Sequence, residues 1–220
     1  MKNLKLDKKK ENILIALALS ALAIFVVYQV SGQKKIEIVN SYKKNTLSQG
    51  VIVSIPDTKF KKYKLVIVFG GMYYANPEWM FSQIPQSGLY NNILVIAPYT
   101  MSFETAKSIY EPYLKDYNVS ETSIMGFSAG GLQVQNNYSE NLKIAGLIDP
   151  STKSKFLDLP FTSNTKMIYN NSNWAGSLKG IGDVQVQLEK VIKEKGGYAE
   201  KTNLQHDKIP KYFFEKFLNN

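Results

Sequence analysis

The 220-residue chain contains no cysteine. That excludes structural disulfides, thiolate metal sites, a catalytic thiol and a cysteine-linked lipid anchor. It contains one histidine, His206, so a multi-histidine zinc centre is excluded as well. Arginine is absent too, and all 27 basic residues are lysine. Nucleic-acid readers favour arginine for bidentate contacts to phosphate and guanine. The net charge of +9 is therefore read as general lysine richness, and nucleic acid is set aside as a partner. No motif implies a cofactor. What is present is ordinary for a packed domain: 44% hydrophobic and 20% charged residues.

Charge is also missing from one long stretch near the N-terminus. A basic head, MKNLKLDKKKEN, precedes ILIALALSALAIFVVYQV, residues 13–30, and the uncharged window runs from Asn12 to Gln33. Eighteen residues at ~1.5 Å rise span about 27 Å, close to the ~30 Å of a bilayer's hydrocarbon layer. A cleavable signal usually has an apolar region of only ~7–15 residues. The expectation is an uncleaved transmembrane signal-anchor at about 12–33. Residues 1–34 then form a short cytoplasmic tail plus anchor, and residues 35–220 a single domain. Five lysines before the span place the N-terminus in the cytoplasm and the domain outside, periplasmic or extracellular. Cleavage after Gly32 would instead release a secreted domain.

After residue 35 no repeat, low-complexity tract or Pro/Gly-rich linker divides the chain. Eight strand-like runs occur, at 36–42, 51–56, 64–70, 92–98, 122–127, 144–150, 166–171 and 198–204. The first two are close enough for a hairpin. Several central runs are continuously apolar, as parallel strands covered on both faces require. Helical spacing fills most of the later gaps. Phe103, Ala106, Ile109, Tyr110, Tyr113, Leu114 and Tyr117 repeat at three and four residues, with Pro112 set to kink or split that helix. Val184, Leu188, Val191 and Ile192 share a face, and Pro210 opens a helix carrying Tyr212, Phe213, Phe214 and Phe217. Strands alternating with helices predict an α/β sandwich on a mostly parallel sheet.

The fifth run leads into SIMGFSAGG, residues 123–131. Gly126-Phe127-Ser128-Ala129-Gly130 fits G-x-S-x-G, the pattern of a sharp strand-to-helix turn that holds a serine in strained geometry. The stretch after it, AGGLQVQNNYSENL, reads as a helix whose first N–H groups point at the serine. A serine hydroxyl is a weak nucleophile at neutral pH and needs a base. His206, in NLQHDKIP just after the eighth run, is the only imidazole in the chain.

On this strand count, the GFSAGG turn after the fifth strand, the Gly70-Gly71 loop after the third and the histidine after the eighth, residues 36–220 resemble the α/β-hydrolase superfamily. The resemblance implies a compact serine esterase- or lipase-like enzyme with Ser128 as nucleophile and His206 as base. One oxyanion donor is expected from the N–H of Ala129, the other from Met72 or Gly71. The usual histidine before the glycines is replaced by Phe69. The acid is open between three residues. Asn173 stands after strand seven, where most of the family carries an aspartate, and supplies no charge. Asp149, in AGLIDPST at the end of strand six, is similar in place to the acid of pancreatic-type lipases, which follows strand six in a Gly-Leu-Asp-Pro run, and the resemblance favours it as the acid. Asp183 sits just before a helical run, where an N-cap explains it. Tyr73, Tyr74, Trp79, Met80 and Phe81 either line an apolar pocket or form the core face of a helix. The implied substrate is a small-molecule or lipid ester, with peptidase and acyltransferase chemistry open. The alternative is a catalytically inactive hydrolase fold serving as a binding or structural protein, since fold alone does not establish activity.

Overall fold

The computed structural model describes residues 42–72, 76–85, 91–170 and 181–218, all within one compact unit, Ser41–Asn220. The expected anchor at 12–33, the residues Tyr73 and Tyr74, and Asn173 lie outside the described residues.

Eight strands form one sheet: β1 (Tyr42–Thr46), β2 (Ile52–Pro56), β3 (Tyr63–Phe69), β4 (Asn92–Ala97), β5 (Val119–Phe127), β6 (Ala145–Ile148), β7 (Thr165–Tyr169) and β8 (Tyr198–Lys201). Their order is β1-β2-β4-β3-β5-β6-β7-β8. β1 and β2 are antiparallel to their neighbours; every pairing from β4 to β8 is parallel. Five helices complete the described fold: α1 (Pro77–Gln83), α2 (Phe103–Leu114), α3 (Gly131–Asn136), α4 (Ile181–Glu194) and α5 (Ile209–Phe217).

Alternation along the strands divides the core into two layers. Leu65, Ile67 and Phe69 face one layer with Ala106, Tyr110 and Leu114 of α2 and Leu188 and Ile192 of α4. Val66 and Val68 face the other, with Met80 of α1 and Ile209, Phe213 and Phe214 of α5. Both faces of the central strands are therefore buried, which is why those runs carry no alternating polar residues.

One strand expectation falls partly outside the described residues, and two helix expectations need correction. Among the described residues the first strand is Tyr42–Thr46, which meets the expected run at 36–42 only at Tyr42; residues 36–41 lie outside the described residues. YKKNT is a sheet edge whose last four residues are exposed, so it carries no apolar signal. The helix after the serine turn is also shorter than AGGLQVQNNYSENL suggested. It ends at Asn136, since Asn137 leaves the helical region (φ −117°, ψ 24°) and caps the helix, its N–H and its Nδ2 both donating to the Gln133 carbonyl, at 3.1 and 2.8 Å. Pro112 sits inside α2 without splitting it.

The β8 edge is fastened to α5 by a polar cluster. Lys216 Nζ lies 2.6 Å from Glu200 Oε2 and 2.5 Å from the Tyr198 hydroxyl, and Tyr212 donates to Glu200 Oε1 at 3.0 Å. Burial alone raises the Glu200 carboxyl, but hydrogen bonds from Lys216, Tyr198 and Tyr212 together outweigh it and hold its pKa below the ordinary value. A depressed carboxyl contributes stability above its unfolded pKa and loses it as pH falls through the folded one. Glu200→Gln is therefore expected to lower the melting temperature near neutral pH. The gap to wild type should close in acid below the ordinary glutamate pKa of about 4.3. A gap independent of pH would show that the cluster stabilises by packing alone.

Candidate active site

β5 delivers Phe127 to the carboxyl edge of the sheet, and the chain then reverses through a 3-10 turn, Ser128–Gly130, into α3. Ser128 takes φ 51°, in the left-handed region. That conformation costs a residue with a Cβ roughly 1–2 kcal/mol. The flanking glycines make it possible. A Cβ on Gly126 would sit 2.2 Å from the Gly130 carbonyl oxygen, and one on Gly130 would sit 2.4 Å from the Phe69 carbonyl oxygen. No side chain fits either gap, so the sequence spacing of the two glycines is dictated by the reversal itself.

The same contacts bring the β3 loop to the serine. A Cβ on Gly71 would lie 3.0 Å from Ser128 Cβ and 2.9 Å from Phe127 Cδ1. The Gly70 N–H is already spent on the Ala97 carbonyl, at 3.1 Å. Among the described residues of this loop, Gly71 lies against Ser128, and Gly71 and Met72 have no backbone N–H bond of the kind that occupies Gly70. Met72 is exposed and Ala129 is buried.

Asp149 follows β6 directly, is wholly buried, and also has a positive φ, 40°. Its Oδ2 lies 2.6 Å from His206 Nδ1. A carboxylate acceptor requires the proton on Nδ1. Nε2 is then the nitrogen available for proton exchange. His206 opens a 3-10 turn (His206–Lys208) after β8, and its ring lies against that of Phe127, centroids 4.4 Å apart and planes 32° apart. The imidazole is therefore packed on the residue immediately before Ser128. The acid loop is tied to the turn as well, since Ser151 N–H donates to the Ser128 carbonyl at 2.7 Å.

The other acid candidates stand elsewhere. Asp183 is exposed and lies in the first turn of α4, one residue beyond the helix's second position rather than at its cap. Asn173 is outside the described residues. Of the aromatic segment, Met80 is core, Trp79 packs on Phe127 at 5.6 Å between centroids, and Phe81 lies under Lys44. Two hollows of about 540 and 670 Å³ occur among the described residues, but neither is lined by Ser128, Asp149 or His206. They sit at the opposite, amino edge of the sheet and beside α2, away from the reactive groups.

Three supporting residues escaped sequence reasoning. Asn170, just past β7, gives its N–H to Asp149 Oδ1 at 2.9 Å and its Nδ2 to the Leu204 carbonyl at 2.6 Å. It thereby links the acid to the loop that carries His206. Gln185 donates to Asp149 Oδ1 at 3.3 Å. Its signal was present: it lies three residues before Leu188 and seven before Ile192, a polar residue in an apolar stripe. Phe127, the variable position of the motif, had no signal at all.

No family model matches the chain, and no curated protein does. Solved structures do. A CIB-like hydrolase from Thermoplasma acidophilum aligns with a TM-score of 0.55 at 14% identity, over 81% of this chain and 97% of that one. The Staphylococcus aureus fluorophosphonate-binding serine hydrolase FphF aligns at 0.54 and 9% identity, over 82% and 99%. The enterobactin and salmochelin hydrolase IroE aligns at 0.51 and 15% identity, over 81% and 93%. At such identities the likeness is one of fold.

Proposed function

From a chain that has the α/β-hydrolase fold, we propose a membrane-anchored serine hydrolase acting on esters through an acyl-enzyme. The observation that carries this reading is the 2.6 Å Asp149–His206 pair packed against the residue that precedes a positive-φ serine.

In this reading Ser128 Oγ attacks the ester carbonyl carbon while His206 Nε2 takes its proton. Asp149 holds the imidazole by Nδ1 and stabilises the imidazolium that forms. The N–H groups of Ala129 and of Met72 or Gly71 receive the developing oxyanion. The C–O bond then breaks, and the leaving alkoxide takes the proton from Nε2. Water then attacks the acyl carbon as the same nitrogen takes its proton; the bond from that carbon to Ser128 Oγ breaks, Oγ recovers the proton from Nε2, and the acid is freed. The fold supports an open site on its β6–β7 side. That connection, residues 149–164, contains one 3-10 turn, Ser154–Phe156, and no helix able to act as a lid. A small-molecule or lipid ester is the substrate class proposed.

A fluorophosphonate probe tests the chemistry. It should label the wild type and leave Ser128→Ala unlabelled. A folded wild type that takes no label would leave an inactive binding or structural protein as the better reading. The anchor rests on the sequence: no described helix is long and apolar enough to cross a membrane, and residues 12–33 lie outside the described residues. Full-length chain is expected to stay with membranes through alkaline carbonate extraction. Release into the supernatant would argue for a cleaved, secreted form.

A further inference from the structure

Asp149 is held on its far side by a residue the reaction scheme does not use. Gln185, in α4, is wholly buried. Its Nε2 donates to Asp149 Oδ1 at 3.3 Å and to the Pro150 carbonyl at 2.9 Å. Both acceptors are oxygens, so the amide's nitrogen end must face them. Its Oε1 is buried without a donor among the described residues. A residue serving only to fill space would not carry that cost, since leucine would pack at the same point in the stripe with no polar atom to orphan. The orphan is explained if the nitrogen end is what the site requires.

What the nitrogen end does follows from its two partners. It spans consecutive residues, the Asp149 side chain and the Pro150 carbonyl, at a turn where Asp149 has φ 40°. A non-glycine residue persists in that region only when its surroundings over-determine it. With Asn170 N–H also on Oδ1, the carboxylate's rotation is fixed and Oδ2 is the oxygen presented to His206. We propose that Gln185 is a positioning residue for the hydrolase reaction, pinning the Asp149–Pro150 turn so that Oδ2 stays aligned with His206 Nδ1 as the imidazole gains its proton. This rests on the serine-hydrolase reading of Ser128. Gln185 acts through Asp149 and touches neither substrate nor nucleophile in the scheme.

The test uses full-length protein in detergent, with Gln185→Leu and the near-isosteric Gln185→Glu. It measures kcat and KM on p-nitrophenyl acetate from pH 5 to 9, together with melting temperature. Gln185→Leu should lower kcat about 10- to 100-fold with KM little changed, because a hydrogen bond to a charged group is lost from a step that charges the imidazole. Gln185→Glu should separate alignment from packing. While protonated, its carboxyl still donates one hydrogen bond to Asp149. Once ionised, it sets a second carboxylate against Asp149 in a buried site. Its kcat relative to wild type should fall as pH rises from 5 to 9, since only the variant gains a second negative charge beside Asp149. A Gln185→Glu profile that parallels the wild type would overturn the proposal, even if Gln185→Leu failed to fold. An unlabelled, inactive wild type would sink the hydrolase reading itself and take this role with it.

Discussion

Ser128→Ala is expected to reduce ester turnover about 10⁶-fold, the loss that follows when the nucleophile of a serine triad is removed. The residue contributes one hydroxyl, and nothing else at the turn can replace it. A residual acceleration of about 10³–10⁴ over water should survive, because the oxyanion donors are backbone N–H groups that the substitution leaves in place. Alanine inherits the same backbone strain as serine at φ 51° and fits the same space. The melting temperature should therefore stay within a few degrees of wild type. Turnover on a chromogenic ester, with circular dichroism as the folding control, measures both. More than about 1% of wild-type turnover in folded Ser128→Ala would remove the serine from the mechanism.

Asp149→Asn should cost about 10⁴-fold in kcat while preserving the fold. The reason is tautomeric. The asparagine carbonyl can still accept from Asn170 N–H, as Asp149 Oδ1 does now. That orientation turns the amide nitrogen toward His206, where Oδ2 now stands 2.6 Å from Nδ1. An N–H donor there favours the imidazole tautomer with its proton on Nε2, and such a ring cannot accept the serine proton. The lost negative charge also leaves the imidazolium unsupported. Asp183→Asn is the control. The residue is exposed in the first turn of α4, so its charge interacts only weakly with the helix end. Its kcat should stay within about twofold of wild type, since exposed first-turn charges are worth only a few tenths of a kcal/mol. Comparable losses in both variants would argue against Asp149 as the orienting acid.

Much of this architecture was readable before any coordinates. The runs at β3 to β8 were visible because a parallel sheet covered on both sides leaves uninterrupted apolar stretches, and α4 and α5 because one face of each is apolar. Residues 43–46 of β1 carry no apolar signal because an edge strand paired on one side need not be apolar. α3 is shorter than its sequence suggests because one residue leaving helical φ/ψ, Asn137, leaves no mark on periodicity. At the site, Gly126, Ser128 and Gly130 stood out because a steric rule governs contiguous residues. Asp149 could be preferred over Asp183 and Asn173 only by resemblance, because three elements far apart in the chain meet at the sheet's edge and local pattern does not say which arrive together.

The residue order was enough to establish that disulfides and thiolate chemistry are excluded, that the core belongs to a layered α/β domain, and that one serine turn and one imidazole are the groups to watch. These follow from composition and from short-range sterics, which act between neighbours in the chain. Folding decided the rest: that Asp149 reaches His206 across 57 positions of sequence, that Phe127 forms the floor beneath the imidazole, and that Gln185 and Asn170 hold the acid from behind. Such contacts depend on strand order and register, which long-range packing selects and no local pattern encodes.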